Sequence, residues 1–293
     1  MSFADTISDL WNRFDLPGAS NPPPSVAVLR LRGAIGTGGI GRFSLSFAAL
    51  EPVIKRAFAR RVRAVCLVIN SPGGSPVQSA QIAGLIRQLS QEKKIPVFAF
   101  TEDIAASGGY WLALAADEIY ADPMSVVGSI GVITASFGFQ DLMAKLGVER
   151  RVYTQGTRKG MLDPFKPEDP DEVERLSAIQ ADIHRQFVNF VKLRRGDRLS
   201  KNEATLFNGD IWTGERSLEL GLVDGLGDLR TVVRRKYGPD VRFHTIERPA
   251  GWLRRRFGRF MPPDVSGGEG VGVWAGDLLA AVEERALWAR FGL

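Results

Sequence analysis

Two short stretches of this chain carry residue types suited to acyl chemistry. Ala105-Ala106-Ser107-Gly108-Gly109-Tyr110 supplies a hydroxyl followed by two glycines, and Asn70-Ser71-Pro72-Gly73-Gly74-Ser75 supplies a second glycine pair. Each follows an apolar run with the character of a buried strand, so both turns are expected at one rim of a sheet. A serine hydroxyl is a weak nucleophile: it needs a rigid position, a base, and donors for the oxyanion that develops on the attacked carbonyl. Ser107 meets the first need if it sits at a turn into a helix. Gly108, with the positive end of that helix, and an amide of Gly73 or Gly74 are the candidate donors. Serine is also a preferred helix N-cap, and Ser-Gly-Gly alone is a weak motif. The second glycine turn is what favours the nucleophile.

The chain has two histidines, His184 and His244. His184 falls at the edge of the apolar stripe of a long helix, where a structural or solvated role is expected, and His244 is far in sequence from every serine of interest. The candidate base is therefore a lysine, and the one favoured is Lys159, in Gln155-Gly156-Thr157-Arg158-Lys159-Gly160-Met161-Leu162-Asp163-Pro164. A lysine with its ordinary pKa of about 10.4 has fewer than roughly one amine in a thousand neutral near pH 7, so a catalytic lysine must be desolvated. Met161 and Leu162 would do this if the loop folds over the site. The plainer alternative is a solvated loop lysine beside Arg158. Ser129, between Gly128 and Ile130, could hold the amine by a hydrogen bond without imposing a charge, or serve as an ordinary turn serine.

The elements that must position these groups follow from periodicity. Residues 26–31 read as a strand followed by a glycine-rich loop at 33–41, and residues 45–60 as a helix ending in basic residues. Residues 63–70 form a near-continuous apolar run, as a parallel strand covered on both faces requires. Helical spacing at 75–91, a strand at 95–100, a helix opening at Ser107 and a short strand at 118–121 continue the alternation. This predicts an α/β fold with a parallel-sheet core. Further on, the pattern predicts a helix at 139–146, a strand at 148–153, a long amphipathic helix at 169–195 and a strand at 241–246.

Composition narrows the class. The 293 residues are 44% hydrophobic, enough for a packed core, and carry a net charge of +5. The basic clusters 60–63, 234–236 and 254–256 read mostly as solvated faces. Only 252–260 interleaves aromatics with basic residues, which suits anionic lipid as well as nucleic acid, and no nucleic-acid partner is expected. The single cysteine, Cys66, lies in a strand-like apolar run and reads as an inert core residue, which excludes an internal disulfide and paired-cysteine zinc chemistry. No stretch of about 18 to 20 apolar residues encodes a membrane span, and the N-terminus lacks a secretory layout. The expected location is cytoplasmic, with peripheral contact at the inner face of the membrane through the termini as the sharper alternative. Phe3, Ile7, Leu10, Trp11 and Phe14 share one face of a short helix that fits either that contact or simple packing.

Taken in order, the Asn70-Ser71-Pro72-Gly73-Gly74 and Ala105-Ala106-Ser107-Gly108-Gly109-Tyr110 stretches, Gly128-Ser129-Ile130-Gly131-Val132, the 156–159 loop with Met161, Gly209-Asp210-Ile211-Trp212-Thr213-Gly214 and Gly221-Leu222-Val223-Asp224 resemble the bacterial signal peptide peptidase (SppA) family of serine proteases over about residues 26–245. The resemblance implies a ClpP/crotonase-like α/β core with parallel sheets and flanking helices. It also implies a Ser-Lys dyad of Ser107 and Lys159, with Ser129 orienting the lysine, and a homo-oligomeric ring whose sites combine residues of neighbouring subunits. The chain then divides into an amphipathic helix and Pro-rich linker (1–25), a protease domain (26–247) and a basic-aromatic segment, linker and C-terminal helix (248–293). The expected activity is hydrolysis of peptide bonds in signal-peptide remnants or other hydrophobic peptides, with no metal or cofactor. The alternatives are an acyl-CoA enzyme of the crotonase fold, which leaves Lys159 without a role, and an inactive membrane-surface scaffold.

Overall fold

The computed structural model describes residues 23–36, 45–156, 158–200, 203–247 and 285–292. The expected helix at 3–14, most of the glycine-rich loop and most of the segment beyond 248 lie outside them. Strand β1 (Ser25–Arg32) leads to helix α1 (Phe47–Ala59), then β2 (Ala64–Ser71), α2 (Pro76–Lys93) and β3 (Val97–Ala106). β2 pairs in parallel with β1 on one side and β3 on the other, and every one of its residues is buried. That double coverage is why its sequence has no polar alternation. Cys66 lies within it, where burial pushes the thiol pKa up to about 12, so it packs as a small hydrophobe.

β3 is longer than its apolar run predicts, because it pairs with two strands in succession. Its first half runs beside β4 (Glu118–Ala121), and its last residues, Ile104 to Ala106, run beside β5 (Val126–Gly128). A register shift between Ile69 and Ser71 of β2 accompanies the change of partner. The C-terminal end of β3 thereby lies between the end of β2 and β5, and it hands directly into helix α3 (Gly108–Ala113).

Helix α4 (Gln140–Leu146) buries none of its residues, whereas α5 (Pro170–Arg195) is anchored at its C-terminal half. Trp111 of α3 stacks on Phe187 and Phe190 of α5 with ring centroids 4.7 and 5.3 Å apart. Arg194 donates to the carbonyls of Leu114 and Ala116, which α3 leaves open at its end. The remaining elements are α6 (Glu203–Leu206), β6 (Ile211–Thr213), α7 (Gly214–Glu219), β7 (Gly225–Leu226), α8 (Leu229–Tyr237) and β8 (Arg242–Thr245). The sheet order is β6-β5-β3-β2-β1-β8, with β4 beside β3 and β7 beside β4. All of these strand pairings are parallel except β5 with β6.

The closing segment is locked by charge. Arg195, 3% exposed, donates to the Gly221 carbonyl at 2.8 Å and to Asp224 at 2.7 Å, and Asp224 also accepts from Arg198 and from the Ile119 amide. Burial alone would raise the Asp224 pKa. The Arg195 hydrogen bond and charge, with the Ile119 amide and Arg198, outweigh it and hold the carboxyl below its ordinary value.

Two expectations fail. Residues 148–153 form no strand: they are exposed and irregular, and no strand of the sheet pairs with them. The apolar stripe of α5 is only half used, since Phe187 and Val191 are buried while Ile179 is 51% exposed. No helix among the described residues is long and apolar enough to cross a membrane.

Candidate active site

Ser107 lies between β3 and α3 with φ 52° and ψ −120°, a positive-φ conformation that a non-glycine residue adopts only when its surroundings enforce it. The constraint can be traced. Its amide donates to the Gly128 carbonyl at 2.8 Å, continuing the β3–β5 ladder, and its carbonyl accepts from the Trp111 amide at 3.0 Å, opening the helix. The chain therefore turns sharply at this residue, and its side chain makes no capping hydrogen bond to α3. An N-cap role does not explain this serine.

The glycine turn after β2 is pressed against it. A Cβ placed on Gly73 would lie 2.8 Å from Ser107 Cβ and 2.9 Å from the Gly108 amide nitrogen, and φ at Gly73 is +104°. No other residue fits there. Gly74 is as tightly held on its far side, where a Cβ would come within 2.2 Å of the Ile35 carbonyl oxygen. Ile35 in turn donates to the Gly73 carbonyl at 2.8 Å and accepts from the Ser75 amide at 2.8 Å. A Cβ on Gly108 would meet Ser79 Oγ at 2.5 Å. The glycines thus let the turn after β2 and the Ile35 segment pack closely behind the turn that carries Ser107.

Ser129 stands just beyond β5, also at positive φ (54°), with its amide bonded to the Asp210 carbonyl at 2.7 Å. Ser107, Ser129 and Gly74 line one cavity of about 790 Å³. Its far wall was not foreseen. It includes Gln180 and His184 from the polar side of α5, Phe207 and Asn208 after α6, and Leu287, Arg290 and Phe291. The His184 Nε2 lies 3.2 Å from the Ile130 carbonyl, beside Ser129, so this histidine is more than a solvated side chain. The available signal was the spacing of Gln180 and His184, which places both on one face of α5.

Gly73 and Gly108 pack beside Ser107 without lining the cavity, whereas Lys159 is not brought to the cavity by the single chain. It is exposed, on a turn where its amide donates to the Gly156 carbonyl at 3.1 Å, and its amine has no partner among the described residues. The apolar residues after it turn inward without covering it. Leu162 donates its amide to Glu172 at 2.6 Å, and Asp163 pairs with Arg150.

A mostly parallel α/β core with flanking helices, with a strained serine at a strand-to-helix elbow against a glycine turn, gives the chain a ClpP/crotonase-like fold. The family model for peptidase family S49 matches residues 89–238, and the chain belongs to that family. Among curated relatives, it is 48% identical over 277 residues to a Brucella abortus (strain 2308) protein named Na(+)/H(+) antiporter NhaA, a match covering 92% of this chain and 37% of that protein. It is 31% identical over 208 residues to the chloroplastic serine protease SPPA of Arabidopsis thaliana, covering 71% of this chain and 30% of the plant protein. The chain thus spans about a third of the length of these two relatives, and most of the protein named as an antiporter lies outside the match. The solved structure of a mutant of the 1510-N membrane-bound stomatin-specific protease superposes with a TM-score of 0.50 at 17% identity, covering 78% of this chain and all of that one. At that identity the likeness concerns the fold.

Proposed function

We propose that this protein is a serine endopeptidase in which Ser107 is the nucleophile and Lys159 the general base. The observation that carries the reading is the Ser107 elbow: a hydroxyl held at φ 52° on a cavity wall, with the Gly73-Gly74 turn pressed against it. Ser107 Oγ attacks the scissile carbonyl while the Lys159 amine takes its proton, and the amides of Gly108 and of Gly73 or Gly74 receive the oxyanion. The carbon–nitrogen bond then breaks as the ammonium returns the proton to the leaving amine. Water, deprotonated by the same lysine, hydrolyses the acyl-enzyme. Ser129 would orient the amine from the cavity side.

Because Lys159 is exposed on its own chain, the dyad is completed by a second copy in a homo-oligomeric ring. Contact with that copy would also strip water from the amine, which a neutral lysine requires. The apolar side chains that a lone chain exposes at 133–165 supply a surface for the contact. Substrate enters as an extended, largely hydrophobic peptide such as a signal-peptide remnant, pairing its backbone with the glycine turn.

The test is labelling and mixing. A fluorophosphonate probe should modify Ser107 in the assembled protein, and both Ser107→Ala and Lys159→Ala should lower peptide hydrolysis by roughly 10⁴- to 10⁶-fold. Mixing the two inactive variants after dissociation should restore part of the activity if the dyad crosses subunits. Unaltered hydrolysis in Lys159→Ala would eliminate the lysine as base, and absence of labelling in wild type would eliminate the nucleophile.

A further inference from the structure

Among the described residues, the wall of the Ser107 cavity contains a single side chain of the Asp, Glu, Lys and Arg types, and it comes from an unexpected place. Residues 285–289 form a helical turn continued by hydrogen bonds from the Arg290 amide to Ala286, Phe291 to Trp288 and Gly292 to Ala289. Leu287, Arg290 and Phe291, three and four residues apart, share the face turned to the cavity. Leu287 and Phe291 add apolar surface to a wall that already holds Ile35, Val132 and Phe207. The Arg290 guanidinium has no ion-pair or hydrogen-bond partner among the described residues. Other cations of the chain are drawn into ion pairs, among them Arg195 and Arg198 with Asp224, Arg87 with Asp117 and Lys236 with Glu118.

We propose that Arg290 is a specificity-determining residue of this cleft and selects peptides that place a carboxylate, from Asp or Glu, beside their apolar side chains. The inference rests on the reading of the cavity as a peptide site. Its physical basis is a planar donor fork that fits a carboxylate in bidentate fashion, set in a wall where no described acidic group opposes and neutralises it. The guanidinium is solvent-accessible, so the expected preference is modest, about two- to five-fold in binding, and salt-sensitive.

The experiment uses the full chain carrying Ser107→Ala, so that binding is read without turnover. Fluorescence anisotropy is measured with labelled apolar peptides that differ only in a Glu, Gln or Lys moved through successive positions. At one position Glu should bind about two- to five-fold more tightly than Gln, and the preference should vanish in about 1 M salt, where the screening length is about 3 Å. Adding Arg290→Glu should reverse the order in favour of Lys, Arg290→Lys should keep its direction, and Arg285→Glu, an exposed change off the cavity wall, should leave it intact. A series in which no position prefers Glu, or a preference that survives Arg290→Glu, overturns the inference while leaving the peptide site standing. Failure of every peptide to bind overturns both.

Discussion

The elbow around Ser107 and the segment from 133 to 168 are both rich in glycine and apolar residues, yet they meet opposite fates. Around the elbow, Ala105, Ala106, Gly108, Gly109 and Tyr110 are all buried, and the Tyr110 hydroxyl reaches the Leu222 carbonyl at 2.8 Å. In the other segment Phe137 is 79% exposed and Tyr153 90%, and α4 buries nothing. The first region completes its contacts within one chain. The second leaves contiguous apolar surface facing solvent, which a soluble domain rarely does without a use for it. Folding alone positions the Ser107 hydroxyl, while the proposed base is carried on the second region, which a lone chain leaves exposed.

Glycine substitutions break this contrast most sharply. Gly73→Ala drives a methyl into Ser107 and the Gly108 amide, so hydrolysis should fall by on the order of 10²-fold and stability by about 1–3 kcal/mol, read by peptide turnover and thermal melting. Gly147→Ala, at φ +66° with open space around it, should cost only about 1–2 kcal/mol of backbone strain and leave the labelling rate of Ser107 in the assembled protein unchanged. If the two variants behaved alike, the close packing at the elbow would not be what positions the serine.

Next in size is the charge lock behind the elbow. Asp224→Asn leaves Arg195 buried without its counter-charge, an expected loss of about 3 kcal/mol in denaturant unfolding. The pH dependence follows from the depressed carboxyl. A group whose folded pKa lies below its unfolded value stabilises fully above the unfolded value of about 3.9 and loses that contribution as pH falls through the folded one. Wild type should therefore lose stability on acidification through that range more steeply than Asp224→Asn. Equal acid profiles would show that the pair does not contribute.

A smaller effect on the fold separates the second region. Phe137→Ser with Leu146→Ser should change unfolding by less than about 0.5 kcal/mol per site, since both side chains are largely exposed, yet lower the molecular mass in light scattering. Unchanged mass would remove this surface from the assembly. Smallest of all is the expectation for Cys66, whose thiol pKa of about 12 should keep it unmodified by maleimide in the folded protein at neutral pH, in contrast to the unfolded chain.

Much of this architecture was legible because its signals are local. The unbroken apolar run of β2, the helical periodicity at 75–91 and 169–195, and the serine followed by two glycines all act through immediate neighbours. The peptidase family and the α/β core follow from such runs in order. What misled was also local: residues 148–153 have strand-like composition, but a strand forms only where it pairs with another, and these residues pair with none in the described sheet.

The residues alone determined the alternation of strand and helix, the burial of Cys66 and the turn at Ser107 between strand and helix, since short-range sterics and apolar periodicity dictate each. Only the tertiary structure decided that Gly73 touches Ser107, that His184 turns toward Ile130, that a helical turn near residue 290 walls the same cavity, and that Lys159 stays outside it. Those facts depend on packing between segments distant in sequence, and contacts at that range leave no periodic trace in the chain.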